Sequence, residues 1–236
     1  MTTIETPEFR QAIEALKTYA AGSGRATLLP IDEAVRAAAG QPARQPALEQ
    51  RLLDALPTAG SRVAREYICR QLVLIGSSAC VPAVSALLAD AALADAARAV
   101  LEVLPGAAAS EALRGRLPRL SGTQRIGVIH SIGARRDTTS VPALARLLRD
   151  RDAGVATAAA AALGSIGSAK AARALRTHLR RAPDPTRTAV ADAVLVCVAH
   201  LDAEGQAAEA ERLCRALREQ ELPDHIREAA ARRGRG

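Results

Sequence analysis

A repeated segment constrains the fold of this chain more than any other feature. VPAVSALLAD at residues 81–90 is similar to VPALARLLRD at residues 141–150, and ARALRTHLRR at residues 172–181 is a weaker third copy about 31 residues after the second. An Ile-Gly pair precedes each copy, at Ile75-Gly76, Ile132-Gly133 and Ile166-Gly167, and Leu104-Pro105-Gly106 occupies the slot between the first two. A period of about 30 residues predicts a repeat built from two short helices.

Each repeat reads as a first helix, a turn and a second helix. In residues 152–166 the apolar side chains fall at i, i+4, i+7, i+8 and i+11, which is one stripe of a helix. Asp152 suits its N-cap, and Gly167 suits its end because glycine adopts the left-handed backbone readily. The second helix carries Pro142 in its first turn, where the missing N–H costs nothing. One such pair cannot bury its stripe alone, so the repeats must stack into an all-α solenoid.

Composition supports this fold. The chain is 49% hydrophobic but only 1% aromatic, with one Phe, two Tyr and no Trp. Sheets favour aromatic side chains, and base-stacking surfaces require them, so β folds and aromatic RNA-binding platforms are not expected. The longest weakly charged stretch, residues 153–169, is rich in Ala, Gly and Ser and does not resemble a membrane span. The N-terminal residues lack the pattern of a signal peptide, and the four cysteines form no CxxC pair. We therefore expect a cytoplasmic protein with reduced, mostly buried cysteines.

The repeated motifs resemble HEAT repeats of the short bacterial type, with units of about 30 residues, often called phycobilin-lyase-type HEAT-like repeats. The resemblance covers residues 63–181 and implies an α-solenoid whose second helices line a concave surface. It divides the chain into an N-terminal helical cap (1–60), HEAT-like repeats (61–182) and a C-terminal helical cap (183–236) with a weakly tetratricopeptide-like hairpin. Proteins of this kind include lyase subunits, DNA-repair enzymes, hydroxylases and scaffolds, so the resemblance leaves the function open.

No motif in the sequence indicates catalysis. Phosphate-binding glycine loops and the GxSxG motif are absent from the sequence, and its four histidines show no metal-ligand spacing. Cys69 lies beside the apolar stripe of its predicted helix, which favours a packed thiol over a nucleophile. We therefore expect no catalytic, cofactor-binding or metal-binding residues and a protein that is not an enzyme.

The candidate contact residues are arginines. The formal net charge is +7, and arginine supplies nearly all the positive charge. Six arginines occupy outward positions of the second helices: Arg114, Arg146, Arg149, Arg173, Arg176 and Arg180. We expect them to bind another macromolecule, with the chain acting as a scaffold or adaptor for a protein partner that is acidic. The alternatives are binding to a DNA backbone through the same basic ridge and an accessory role in an enzyme such as a chromophore lyase. The oligomeric state is left open.

Overall fold

The computed structural model describes residues 6–182 and 184–232, and only the backbone of residues 184 and 185. These residues form fourteen α-helices joined by short turns and single 3-10 turns, and they contain no strand. The predicted all-α fold is confirmed. Two compact units divide the chain, Met1–Arg116 and Leu117–Gly236. The boundaries predicted near residues 60 and 182 each lie inside a unit, so the division into caps and repeats stays a prediction. No helix in the described part of the chain has both the length and the apolarity that crossing a membrane requires.

The first unit contains seven helices. They are α1 (Pro7–Ala15), α2 (Leu29–Ala38), α3 (Gln45–Ala55), α4 (Arg62–Ile75), α5 (Val81–Ala86), α6 (Ala94–Val103) and α7 (Ala108–Arg116). Helices α1, α2 and α3 pack against one another, and α4 packs against α2, α3 and α6. Helix α5 packs against α6 and α7. A helical pair therefore stacks on its neighbour throughout this unit, as the repeat predicts.

A buried carboxylate joins α3 to the turn that follows α4. Glu49 is 2% exposed, and its two oxygens accept hydrogen bonds from the Ser77 N–H at 2.8 Å and the Ser77 hydroxyl at 2.7 Å. Buried charged groups are stable only when their hydrogen bonds are satisfied. The pair therefore fixes the start of the turn that leads into α5.

The second unit contains the other seven helices. They are α8 (Gly122–Ala134), α9 (Val141–Leu147), α10 (Ala153–Ile166), α11 (Ala169–Leu179), α12 (Asp184–Ala203), α13 (Ala207–Arg218) and α14 (Asp224–Arg232). Helix α10 packs between α8 and α12, and these three form one layer. Helix α11 packs between α9 and α13, and these three form the other layer. This two-layer stack is the arrangement of an α-solenoid.

Helix α10 begins and ends where the sequence predicts. The Asp152 carboxylate accepts hydrogen bonds from the Gly154 N–H at 2.8 Å and the Val155 N–H at 3.3 Å, which caps the helix. Gly167 ends it at φ +63°. All five side chains of the predicted stripe are buried: Val155, Ala159, Ala162, Leu163 and Ile166. In α9 and its C-cap, Val141, Leu144 and Leu148 are buried, whereas Leu147 is half-buried.

Two glycines bring the helices of the layer formed by α8, α10 and α12 into backbone contact. A Cβ on Gly133 of α8 would lie 2.7 Å from Ala162 Cα of α10, and one on Gly164 of α10 would lie 2.6 Å from the Ala193 carbonyl oxygen of α12. The glycines are 31 residues apart, and so are the alanines. The interpretation of Gly133 as a helix-ending residue equivalent to Gly167 is therefore wrong, because Gly133 lies inside α8. The equivalent of Gly167 is Arg136, whose φ is +50°.

Candidate partner-binding surface

In the Leu117–Gly236 unit, the layer formed by α9, α11 and α13 carries a basic surface. Arginines recur at helical spacing on α13, and along α11 and the residue that follows it, so each of these sets lies on one side of its helix, while Arg146 lies on α9 and Arg149 in the turn after it. This basic face consists of Arg146 and Arg149 at α9, Lys170, Arg173, Arg176 and Arg180 at α11, and Arg212 and Arg215 on α13. Arg176 is half-buried and the others are exposed.

A cleft between α11 and α13 concentrates this charge. Its volume is about 410 Å³, and five arginines line it: Arg176, Arg180, Arg181, Arg212 and Arg215. We call it the basic cleft. Glu219 also lines it and lies 3.5 Å from Arg180 in an ion pair, while Arg212 pairs with Glu209 at 2.6 Å. Within the described residues, the other three arginines of the cleft have no carboxylate at ion-pair distance. The cleft therefore holds more positive charge than the protein itself neutralises.

A second cavity of about 400 Å³ lies between α9 and α11. Arg149, Lys170 and Arg173 line it, together with apolar side chains that include Val141 and Leu148. Thr177 lines both this cavity and the basic cleft, so the two adjoin. Basic residues therefore follow the face from α9 across α11 to α13.

The six predicted contact residues lie in different places. Arg149 and Arg173 share the cavity between α9 and α11, and Arg176 and Arg180 share the basic cleft. Arg146 is exposed on α9 and lines neither of them. Arg114 is half-buried on α7 and belongs to the other unit, Met1–Arg116.

Sequence reasoning missed three arginines of the basic cleft. Arg181 directly follows Arg180, and Arg212 and Arg215 are spaced i, i+3 on α13. The available signal was this spacing in the predicted C-terminal hairpin, which puts both guanidinium groups on one side of a helix. The repeated motifs end at residue 181, before that helix begins.

His178 is a buried imidazole beneath the basic face. It is 8% exposed, and its Nε2 has no hydrogen-bond partner among the described residues. Burial, and next the positive charge of Arg149, lower the pKa of His178 below its ordinary value of 6.5. Desolvation disfavours the charged imidazolium, so the folded protein holds this proton less tightly than the unfolded chain does.

We expect this histidine to make stability depend on acid pH. Between pH 6.5 and the lower folded pKa, the unfolded chain binds more protons at this site, so the free energy of unfolding falls as the pH falls. Thermal melts from pH 7.5 to 5.0 should show a smaller decline for His178→Leu than for the unchanged protein. His225→Leu, at an exposed histidine on α14, is the control and should keep the original slope. Equal slopes for all three proteins would contradict the assignment.

The cysteine thiols are buried and protonated. None of the four cysteines forms a disulfide. Burial is the main cause that raises the pKa of Cys69 to about 11 and those of Cys80 and Cys197 to about 12, so these thiols do not form thiolates near neutral pH. Within residues 6–182 and 184–232, no group of three or more His, Cys, Asp or Glu side chains is arranged to hold a metal ion. The chemistry that the basic face offers is therefore recognition of negative charge.

Comparison with known families identifies the repeat. Residues 113–195 match the model of a family described as HEAT repeats. This part of the chain is therefore similar to HEAT repeats. The match covers about a third of the chain and spans the helices from α8 to most of α12. No curated protein matches the sequence.

The matched residues account for most of the candidate surface. Helices α9 and α11 lie inside the matched residues, whereas α13, which supplies Arg212 and Arg215, lies beyond them. HEAT repeats are generally associated with protein–protein interaction, which fits a scaffold role. The basic cleft is formed where the matched repeats meet the helix that follows them.

Proposed function

We propose that this protein is a non-enzymatic scaffold that binds an acidic protein partner through the basic face of its HEAT repeats. The observation that carries the proposal is the basic cleft, which five arginines line together with one carboxylate, Glu219, that pairs with Arg180. Stacked helical repeats offer an extended binding surface, which is the main asset of this architecture. Arginine is also enriched in protein interfaces.

The charge in the cleft favours an anionic partner for a physical reason. Like charges held close together in one cleft repel one another, and carboxylates from a partner relieve that repulsion. Guanidinium groups bind carboxylates through two parallel hydrogen bonds, which makes such contacts both strong and directional. Arg176, Arg181 and Arg215 are the residues to which we assign these contacts, because no carboxylate among the described side chains lies at ion-pair distance from them.

The carboxylates in the cleft favour a protein over a nucleic acid. Glu219 lines the cleft, and a bound phosphate backbone would meet its negative charge. A protein surface can place a basic or polar group opposite Glu219 and carboxylates opposite the arginines. DNA-backbone binding through the same ridge is the alternative that the experiment must separate.

Charge reversal tests the proposal. The variant Arg176→Glu/Arg181→Glu/Arg215→Glu lowers the net charge by six units and inverts the cleft. We expect it to weaken partner binding by at least about 100-fold, because three charge-assisted contacts become repulsive. The matched control is Arg44→Glu/Arg51→Glu/Arg119→Glu, which makes the same charge change at exposed positions outside the cleft and should retain the partner.

The measurement is affinity capture from lysate of the native host with mass spectrometry, in nuclease-treated and untreated samples. The proposal is supported if, in nuclease-treated lysate, the unchanged protein and the control capture proteins that the cleft variant does not capture. Equal capture by all three proteins contradicts it. Capture that disappears with nuclease, together with duplex binding that weakens steeply with salt, would instead assign the face to nucleic acid.

We also infer that the repeats are of a short bacterial type and that the protein works in a reducing compartment. The 31-residue spacing of Gly133 and Gly164 supports HEAT-like repeats of the short bacterial, phycobilin-lyase type. Four buried cysteines that form no disulfide support a reducing compartment, such as the cytoplasm.

A further inference from the structure

The largest cavity described for the first unit is a groove of about 710 Å³ between α2 and α4. Its walls are two helix faces with the same spacing of i, i+3, i+4 and i+7. They carry Asp32, Val35, Arg36 and Ala39 from α2 and its C-cap, and Tyr67, Arg70, Gln71 and Leu74 from α4. We call it the α2–α4 groove. Its volume lies within the range of about 300–1,000 Å³ that is usual for small-molecule sites.

The one carboxylate lining this groove is already satisfied by its neighbours. Asp32 Oδ1 accepts hydrogen bonds from the Tyr67 hydroxyl at 2.9 Å and the Gln71 amide at 3.2 Å. Its Oδ2 lies 3.3 Å from the Arg25 guanidinium. The Asp32 side chain is only 10% exposed, so it presents little negative charge to the groove. Burial, and next the hydrogen bond to Asp32, raise the pKa of Tyr67, which keeps its hydroxyl protonated.

Two further guanidinium groups in the groove remain available. Arg36 and Arg70 are exposed, and within the described residues neither has a carboxylate at ion-pair distance. The Arg70 guanidinium lies over the Tyr67 ring, 5.9 Å from its centroid. This contact limits the positions of Arg70 without neutralising its charge.

The rest of the groove is apolar. Val35, Val73 and Leu74 line it; Val35 is buried, whereas Leu74 is 63% exposed. Exposed apolar surface next to convergent polar groups is typical of a ligand site. Positive charge at one place and apolar surface at another match a molecule that has an anionic head and a hydrocarbon body.

We propose that the α2–α4 groove binds a small amphipathic carboxylate, with the carboxylate on Arg36 and Arg70 and the hydrocarbon chain along Val73 and Leu74. The ligand class follows from the charge complementarity, because the only carboxylate lining the groove is already paired. This site lies in the first unit and does not depend on the basic face of the HEAT repeats.

The tyrosines allow a direct measurement. The chain has two tyrosines and no tryptophan, and both Tyr19 and Tyr67 line this groove. Intrinsic tyrosine fluorescence therefore reports on this groove without a label. We expect decanoate to change the fluorescence saturably and acetate to leave it unchanged. Decanol, which lacks the negative charge, should bind about tenfold more weakly than decanoate.

Two variants at exposed positions test the residues that line the groove. Arg36→Gln/Arg70→Gln should raise the dissociation constant for decanoate about tenfold, and Leu74→Ser should raise it severalfold through lost apolar contact. The matched control Arg44→Gln/Arg51→Gln removes the same charge outside the groove and should bind as the unchanged protein does. Circular dichroism should be unchanged in every variant, since all these side chains are exposed. Equal dissociation constants for the groove and control variants, or no saturable signal with decanoate, would overturn the proposal.

Discussion

A Leu163→Asp substitution is expected to abolish the cooperative unfolding transition of the Leu117–Gly236 unit. Leu163 is 0% exposed on α10, which packs between α8 and α12. The change removes a fully buried aliphatic side chain and places an unpaired carboxylate between two neighbouring helices. Together these effects should cost about 5 kcal/mol or more, which is comparable to the whole stability of a typical domain.

A second aspartate in the same unit provides the control. Val196 is 45% exposed on α12, so Val196→Asp introduces the same charge at the surface and should change the free energy of unfolding by no more than about 0.5–1 kcal/mol. Urea unfolding followed by circular dichroism measures both. A native-like transition for Leu163→Asp would show that α10 is not packed in the register described.

The largest effect from a single added methyl group is expected at the two helix-contacting glycines. Gly→Ala inside a helix ordinarily stabilises by about 0.5–1 kcal/mol. At Gly133 and Gly164 the new Cβ would lie 2.7 Å and 2.6 Å from backbone atoms of the next helix, and backbone cannot move aside as a flexible side chain can. We expect either Gly→Ala change to lower the free energy of unfolding by about 2 kcal/mol, because overpacking outweighs propensity.

Gly115→Ala gives the opposite sign and serves as the control. Gly115 lies inside α7, and a Cβ there would meet nothing within 4 Å. Its substitution should therefore leave stability unchanged or raise it slightly. Melting temperatures of the three single variants provide the comparison. Stabilisation by alanine at position 133 or 164 would refute the close approach of the helices.

Local signals made much of the fold predictable. Asp152 and Gly167 mark the ends of α10 by chemistry that acts within a few residues, a side-chain cap and a left-handed backbone. The buried leucines of the second helices, Leu113, Leu144 and Leu175, recur every 31 residues and carry the repeat. Gly133 was misread because it follows an isoleucine as Gly167 does. Its role depends on the backbone of α10, which no nearby residue reveals.

The two candidate sites differ in how far the sequence predicts them. Arg176 and Arg180 could be placed because helical spacing along α11 orients them together. Arg212 and Arg215 join them only through the packing of α13 on α11, a contact between segments about 35 residues apart that share no repeated motif. The α2–α4 groove was not predicted at all. Asp32 lies outside the repeat motifs, and its hydrogen bond to Tyr67 follows from tertiary packing alone.

The paired glycine contacts have a consequence for how such a chain can change in length. Gly133 meets Ala162, and Gly164 meets Ala193, so the same junction is used twice along one layer. A tandem duplication of 31 residues would reproduce a glycine for one neighbour and an alanine for the other, and the added helices would dock without new side chains. An insertion within one of these helices, in contrast, would turn the residues that follow it away from the junction. Gain or loss of whole repeats therefore lengthens or shortens this layer while keeping the contacts between its helices.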